Sequence, residues 1–414
     1  MKFTVAITIG LIVAGTLLEA QEINHVDDHF LTALRAEAAQ HHPASSAASL
    51  RISAADCDVR NVHLWDDPMV GLSLRAASEE MRRSDGDLRF GLEQPLPKPG
   101  LFTATQTKAR ALGQAAREDF RTSSLEIQAA AARDGIELAL ADESISLQVT
   151  LIQWLSMRVA NAGETALDPK GSSIDVLRLQ SELAKENQIL EAARRTRDSL
   201  ARRLNLRLGR SLESPWPVLR LSNETAAVPV AVSEIARIPR ANPKVRALRA
   251  IATAAEAATR IADRESQPQL SIAIDTDLYS GGDFRSASFG LKMSLPVLNH
   301  RSYQANIDAA ALREEAAVND IEVARLEIAA AVLKAVSEAT NAAAQARAYS
   351  GEIYQCALQA AHAVEDSWLS LKSPLTEVLE AQRILFAIRL EQRRFAAMRQ
   401  VALEDLHLLV PNSP

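Results

Sequence analysis

The side chains that most often carry chemistry are few in this chain and poorly spaced for it. His25 and His29 flank Asp27 and Asp28, donor types that can hold a transition metal, but the spacing is loose and the set reads as solvated surface near the start of the chain. His41 and His42 precede Pro43 at a helix start, where a polar boundary is expected in any case. Cys57 and Cys356 are too few for a disulfide scaffold or a thiolate metal cage. Each sits in an alanine-rich helical pattern and is expected as a buried or half-buried thiol; a bridge between them would need an oxidising compartment. Trp154 and Trp65 read as packing residues rather than ligand stackers. The sequence has no His-Glu-x-x-His, no Gly-x-Ser-x-Gly elbow, no Gly-x-x-x-x-Gly-Lys loop and no dinucleotide fingerprint, so neither an enzyme nor a cofactor or metal site is expected. What remains are charges at helical spacing. Glu377 and Glu380 stand three apart, hence on one helix face, and Asp175 with Arg178 repeat that spacing earlier in the chain.

The elements that must position these charges are mostly helical. Over 414 residues about one in six is Ala, while Gly and Pro number 15 and 16, which suits long helices and leaves little for an all-β fold. The formal charge of -6 is mild and the basic residues are scattered among acidic ones, so no track for nucleic acid exists. Lys2 followed by the apolar run Val5 to Leu18 reads as a secretory signal over residues 1–20, cleaved after Ala20. Beyond it no stretch of ~18 apolar residues occurs, so any membrane insertion must use β-strands.

The chain repeats itself at about two hundred residues. Phe90-Gly91-Leu92-Glu93-Gln94-Pro95-Leu96-Pro97 returns as Phe289-Gly290-Leu291-Lys292-Met293-Ser294-Leu295-Pro296. In the same order His42-Pro43 matches Asn242-Pro243, Pro68 matches Pro268, and Ser84-Asp85-Gly86-Asp87 matches Ser280-Gly281-Gly282-Asp283. Val176-Leu177 with Gln180 and Leu183 matches Val378-Leu379 with Gln382 and Leu385. A period this long implies a duplicated half-molecule rather than a solenoid. The expected units are a first repeat over 21–210, a linking segment over 211–240 packed as a belt, and a second repeat over 241–414.

Within each repeat the period changes. Leu270, Ile272, Ile274, Thr276 and Leu278 alternate with Ser271, Ala273, Asp275 and Asp277, a Gly-Gly turn follows, and Phe289, Leu291, Met293 and Leu295 alternate with small or polar residues. Val70, Leu72 and Leu74, then Leu88, Phe90 and Leu92 across an Asp-Gly turn, repeat the scheme. Each predicted strand is roughly ten residues long, enough for a tilted strand to cross a bilayer with one face to lipid. A soluble hairpin packed on helices would show the same alternation; the bilayer-matched length in both repeats favours the membrane. Four strands cannot close a barrel, so that reading demands an oligomer.

Helical rods on the order of 100 Å are predicted from about Pro99 to Ala166 and from about Ser302 to Leu371, too long for a compact core and suited to coiled-coil-like packing through Ala. Turns at Leu167–Ser173 and Lys372–Pro374 lead into return helices from about Ile174 to Leu206 and Leu375 to Leu409.

This duplicated order resembles the outer membrane efflux protein family, the TolC-like ducts of Gram-negative bacteria. The residues that carry the resemblance are the paired Phe-Gly-Leu-x-x-x-Leu-Pro strand ends, the x-Pro before each first helix and the Val-Leu-x-x-Gln-x-x-Leu starts of both return helices. Gln94–Gly100 is similar to the corresponding lead in heavy-metal efflux members, departing from them at Leu101, where a basic residue is common. Glu79, Glu80, Arg82 and Arg83 suit a loop beyond the membrane rather than a lipid face. The resemblance implies a mainly α fold with a small β part. It implies a homotrimer with a twelve-stranded barrel in the outer membrane and a long α-barrel in the periplasm, a passive duct working with a periplasmic adaptor and an inner membrane pump. It also implies that Glu377 and Glu380 line the periplasmic constriction, the plainer reading being a solvated helix face; Asp175 and Arg178 stand at the equivalent place in the first repeat and are expected at the same constriction, Arg178 latching it by a salt bridge to a neighbouring helix. The tips Gly171, Ser172, Ser173, Ile174, Ser373, Pro374 and Leu375 would meet the adaptor. Other readings are a periplasmic coiled-coil scaffold without a pore and the duct of a type I protein secretion system.

Overall fold

The computed structural model describes residues 23–74, 88–165, 173–222, 238–278, 284–370 and 372–410. The first repeat runs from a short strand β1 (Ile23–Val26) into helices α1 (Asp28–His41) and α2 (Pro43–Asn61). A hairpin of β2 (Met69–Leu74) and β3 (Leu88–Pro95) follows, then the long helix α3 (Leu101–Thr165) and the returning α4 (Ser173–Leu208). After β4 (Val218–Leu221) and a single turn α5 (Ile238–Ala241), the order recurs as α6 (Pro243–Glu265), β5 (Leu270–Leu278), β6 (Phe284–Met293), α7 (His300–Ser350), α8 (Glu352–Leu369) and α9 (Leu375–Leu409). This is the mainly α architecture with a small β part that the sequence predicts. The expected signal segment, the charged turn from Glu79 to Arg83, and Gly171 and Ser172 lie outside the described residues.

The two helices that precede the hairpins start by the same chemistry. His42 caps α2 by accepting from the Ala44 backbone N–H at 3.2 Å, Asn242 caps α6 by accepting from Lys244 N–H at 2.9 Å, and each cap is followed by Pro at the first helical position. There the missing proline N–H costs no hydrogen bond and its fixed φ suits the helix. The entry to α3 turns on Gly100, whose φ of 77° is open to glycine and strained for other residues. Lys98 beside it donates to the Glu265 carbonyl at 2.8 Å, tying the start of the rod to the end of α6.

Helix α3 is 65 residues long, close to 100 Å at ~1.5 Å per residue. It packs on α2, α4, α6 and α9, while α7 packs on α6 and α9. Small side chains make the seams: Ala310, Ala317 and Ala324 recur at heptad spacing on the buried stripe of α7, and Ala104, Ala111 and Ala115 are buried on α3. The expected second rod, unbroken from Ser302 to Leu371, is corrected by the structure: α7 ends at Ser350 and α8 begins at Glu352. Gly351 stands between them, its N–H bonded to the Arg347 and Ala348 carbonyls, and Gly is the residue whose backbone freedom costs most inside a helix. The expectation of buried or half-buried thiols also fails, because Cys57 and Cys356 are free and exposed on the outward faces of α2 and α8. Among the described residues no helix is long and apolar enough to cross a membrane.

The rods are gripped midway by a feature the periodicity does not announce. β1 and β4 form a parallel pair, Ile23 opposite Val218 through Val26 opposite Leu221. The free edge of β4 is satisfied by two adjacent carboxylates of α3. Asp142 accepts from Leu219 N–H at 2.9 Å and from Arg197 Nε at 2.9 Å; Glu143 accepts from Leu221 N–H at 3.1 Å and pairs with Arg393 of α9 at 2.9 Å. Fully buried Asn205 holds the start of the linking segment, donating to the Leu212 and Ser214 carbonyls and accepting from Trp216 Nε1 at 2.8 Å. Leu138, Leu204, Leu219 and Leu221 close an apolar core around this grip. Glu143→Ala is expected to cost about 3 kcal/mol, because it strands a backbone donor and a partly buried guanidinium, whereas Glu143→Gln, which keeps an acceptor, costs less. Denaturant melts followed by far-UV circular dichroism check the order.

Candidate functional site

Two places in the fold present side chains that a channel would use: the four-stranded sheet at one end of the rods and the helix turns at the other. The sheet has the order β2-β3-β5-β6, all antiparallel, so the hairpins of the two repeats join through β3 and β5. Its register sorts the faces as the alternation predicts. Val70, Leu92, Ile274 and Phe289 stand in one row, next to Leu72 and Phe90, and this face is open, with Phe289 77% and Leu291 70% exposed. Bare apolar surface on this scale is what a protein keeps for lipid or a partner.

The other face is small and charged. Gly71, Gly91, Asp275 and Ser288 form one row, and Ser73, Arg89, Asp277 and Ser286 the next. Arg89 pairs with Asp277 directly opposite at 2.9 Å. Lys292 reaches diagonally across β5 to Glu93 at 2.6 Å, over Ser271 and Ala273, which are buried beneath it. Only small residues leave that path open. Asp275 lies over Gly91, where a Cβ would stand 2.7 Å from Oδ1. The outer edges of β2 and β6 have no strand partner among the described residues.

At the far end Leu155, Ala162, Leu179 and Leu375 make a buried cluster, with Trp154, Val176, Trp368 and Leu379 against it. Trp154 is a packing residue, as expected, and its Nε1 donates to Glu365 of α8 at 3.3 Å. Arg158, which also pairs with Glu365, lies 5.7 Å from the centre of the indole ring. A second tie joins the return helices of the two repeats. Arg383 of α9 pairs with Glu182 of α4 at 2.8 Å and lies 3.8 Å from Glu380 one turn away, while Lys185 lies 3.4 Å from Glu182. Burial, the largest single influence on the Glu182 carboxyl, pushes its pKa up, but the hydrogen bonds and charges of Arg383 and Lys185 outweigh it and hold the group below its ordinary value. The Glu182 hydrogen bond does most to raise the pKa of Arg383 in return.

Glu377 and Glu380 are both exposed, on the side of α9 away from buried Val378. Glu380 has Arg383 nearby, whereas no ion pair reaches Glu377 among the described residues. Asp175 is half-buried and held in a polar contact. Arg178 is exposed and meets no acid among the described residues, because its neighbour Leu179 is the residue turned into the tip core. Within one copy the ion pair that joins the two return helices is Arg383–Glu182, about two turns from the helix starts. Ser173, Ile174 and Pro374 are exposed, Ser373 is half-buried with its hydroxyl donating to the Val364 carbonyl, and Leu375 is buried in the tip core. His25 and His29 are exposed, and Asp27 is occupied as the cap of α1, accepting from Phe30 N–H at 2.8 Å. Sequence reasoning passed over Arg383, Glu182 and Glu365. The signal available was an acid two residues after Gln180 and a base one residue after the equivalent Gln382, opposite charges at nearly matching places.

Residues 236–410 match the sequence profile of the outer membrane efflux protein family. The match covers the second repeat, from just before α5 to the end of α9. The fold, over more than nine-tenths of the chain, is shared with solved outer membrane proteins. The outer-membrane channel OprN superposes with a TM-score of 0.80 at 17% identity, covering 94% of this chain and 91% of its own. CusC, described for its transmembrane channel formation, gives 0.80 at 17% over 93% of each chain. VceC, an outer membrane protein of Vibrio cholerae, gives 0.78 at 16%, covering 92% of this chain and 96% of its own. No curated protein matches the sequence itself. The superpositions extend over the first repeat as well, which therefore shares the fold of these structures where the sequence profile does not reach.

A double-mutant cycle of Arg383→Ala and Glu182→Ala should give a coupling of ~1 kcal/mol or less, since half of the arginine is in solvent. Because the folded-state pKa of Glu182 is lowered, its contribution is present above the ordinary carboxylate range and is lost as pH falls through the lowered value. Thermal melts between about pH 3 and 7 should show a shallower acid limb for Glu182→Gln than for the parent chain.

Proposed function

We propose that the protein is the outer membrane channel subunit of a tripartite efflux system. It works as a homotrimer and as a passive duct for small toxic solutes, drugs or metal ions, with an inner membrane pump and a periplasmic adaptor supplying energy and contact. The observation that carries this reading is the sheet: four strands with one bare apolar face, one small and charged face and two outer edges without partners among the described residues, in a fold shared with an outer membrane channel. In lipid each edge group left unpaired costs several kcal/mol, so strands of this kind are stable there only in a closed ring. Three copies supply twelve strands, with the apolar rows toward lipid and the rows of Gly, Ser and paired charges toward water.

In that assembly Glu377 and Glu380 of α9, together with Asp175 and Arg178 of α4, line the constriction at the periplasmic end. Six carboxylates at close quarters attract cations and hold their protons more tightly than isolated acids. Arg383 offsets part of the Glu380 charge inside each copy, which leaves Glu377 as the stronger determinant. The adaptor contact falls on the tips, where Ser173, Ile174, Ser373 and Pro374 are presented and Leu375 anchors the turn from beneath; Gly171 and Ser172 of the same expected contact lie outside the described residues.

The protein extracted from outer membranes should have the native mass of a trimer and require detergent; a detergent-free monomer would overturn the channel. In planar bilayers under a KCl gradient, Glu377→Gln should move the reversal potential toward zero more than Glu380→Gln does. Absent shifts would remove both acids from the constriction, and equal shifts would remove the ranking of Glu377 over Glu380.

A further inference from the structure

The β3–β5 junction joins the last strand of the first repeat to the first strand of the second. In the ring proposed above, on which this inference rests, β6 ends the second repeat and must meet β2, which begins the first repeat of the next protomer. The internal junction is therefore a template for the one between protomers, and it fixes the register.

The equivalences are read from the strands themselves. Phe90-Gly91-Leu92 corresponds to Phe289-Gly290-Leu291, so Glu93 corresponds to Lys292. Met69 is opposite Glu93 and Ser271 is opposite Lys292, so Met69 corresponds to Ser271. By continuation Gly71 corresponds to Ala273, Leu72 to Ile274, Ser73 to Asp275 and Leu74 to Thr276. Inside the chain Phe90 faces Thr276, Gly91 faces Asp275, Leu92 faces Ile274 and Glu93 faces Ala273. We propose that β6 pairs antiparallel with β2 of the next protomer in the transferred register, placing Phe289 opposite Leu74, Gly290 opposite Ser73, Leu291 opposite Leu72 and Lys292 opposite Gly71.

Three observations that were not used to build this register agree with it. Phe289 and Leu291, and their assigned partners Leu74 and Leu72, are among the most exposed apolar side chains of the chain, and the register sets all four on one face. A slip by one residue would turn apolar side chains to the charged face, so only slips by two compete. Gly290 has open space where a Cβ would stand, unlike its equivalent Gly91, which lies under Asp275, so the place over Gly290 is unfilled within one protomer. The helices then argue against the slips by two. α3 packs on α6 across the internal junction, and their equivalents across the outer one are α7 and α2. α7 exposes Leu312 and Leu326, and α2 exposes Leu50. A slip by two moves the strands ~7 Å, more than the ~5.4 Å of a helix turn, and would break the seam that the α3–α6 packing defines.

The test uses the full chain with Cys57→Ser and Cys356→Ser, oxidised in outer membrane vesicles and read on denaturing gels beside the native mass in detergent. Ser73→Cys with Gly290→Cys, and Leu72→Cys with Leu291→Cys, are the in-register pairs; both are made because neighbouring antiparallel pairs alternate in spacing. Ser73→Cys with Ser288→Cys and Ser73→Cys with Lys292→Cys are the slipped controls. Within one protomer β2 and β6 are three strand spacings apart, ~14 Å, beyond disulfide reach, so any bridge joins two protomers. At least one in-register pair is expected to give linked dimers and trimers ~10-fold faster than either slipped pair. A faster slipped pair, or no link in a protein of trimeric native mass, would overturn the register while leaving the trimer. No link together with a monomeric native mass would remove the trimeric reading itself.

Discussion

A helix of 65 residues that packs on α1, α2, α4, α6 and α9 along its length lets them approach closely where the side chains at its contacts are small. Helix α3 meets this condition with alanine, and the rest of the architecture depends on it. Two helices separated by alanine approach closely enough for dispersion to act along the whole seam, each contact weak and their sum large. The same rod fixes the distance between the sheet and the far turns, so the two places with chemistry are held apart by one rigid element. Larger residues would push α2, α4, α6 and α9 outward and loosen both ends together.

The two repeats share their order of elements but divide the work between them. The carboxylates that hold β4, Asp142 and Glu143, belong to the first repeat, and the guanidinium that closes their cluster, Arg393, belongs to the second. The sheet shows the same exchange: Lys292 of the second repeat reaches Glu93 of the first, and Arg89 of the first pairs with Asp277 of the second. At the tips Arg383 and Glu182 do it again. The two repeats share one frame and carry opposite charges where they face each other.

The sequence makes some of this legible and hides the rest for physical reasons. The hairpins can be read because one face is apolar and the other is not, and the period survives in Leu270–Leu278 despite the charged residues between. The helix starts can be read because His42-Pro43 and Asn242-Pro243 carry their own capping chemistry. β1 and β4 could not be read, since four residues hold no period and their hydrogen bonds come from a strand some 190 positions away and from side chains of α3. Gly351 was passed over because alanine-rich sequence on both sides argues for continuity and one glycine is a weak contrary signal. The exposure of Cys57 and Cys356 was misjudged for the same reason: alanine on every face of a helix conceals which face is buried. The tip ion pairs join residues about two hundred positions apart, a relation that only the fold supplies.

The interruption at Gly351 also gives the two halves different mechanical characters. A continuous helix such as α3 transmits torsion from one end to the other, as a drive shaft does. The pair α7 and α8 has a joint, and torsion entering at α8 is partly absorbed before it reaches the sheet end. Two pairs of contacts bracket that joint, Tyr349 against Phe395 and Tyr354 against Arg389, so α9 acts as a splint across it. In the trimeric ring proposed above, stiff and compliant rods would alternate, and a deformation applied at the turns would spread with the symmetry of the protomers rather than with the doubled symmetry of the repeats.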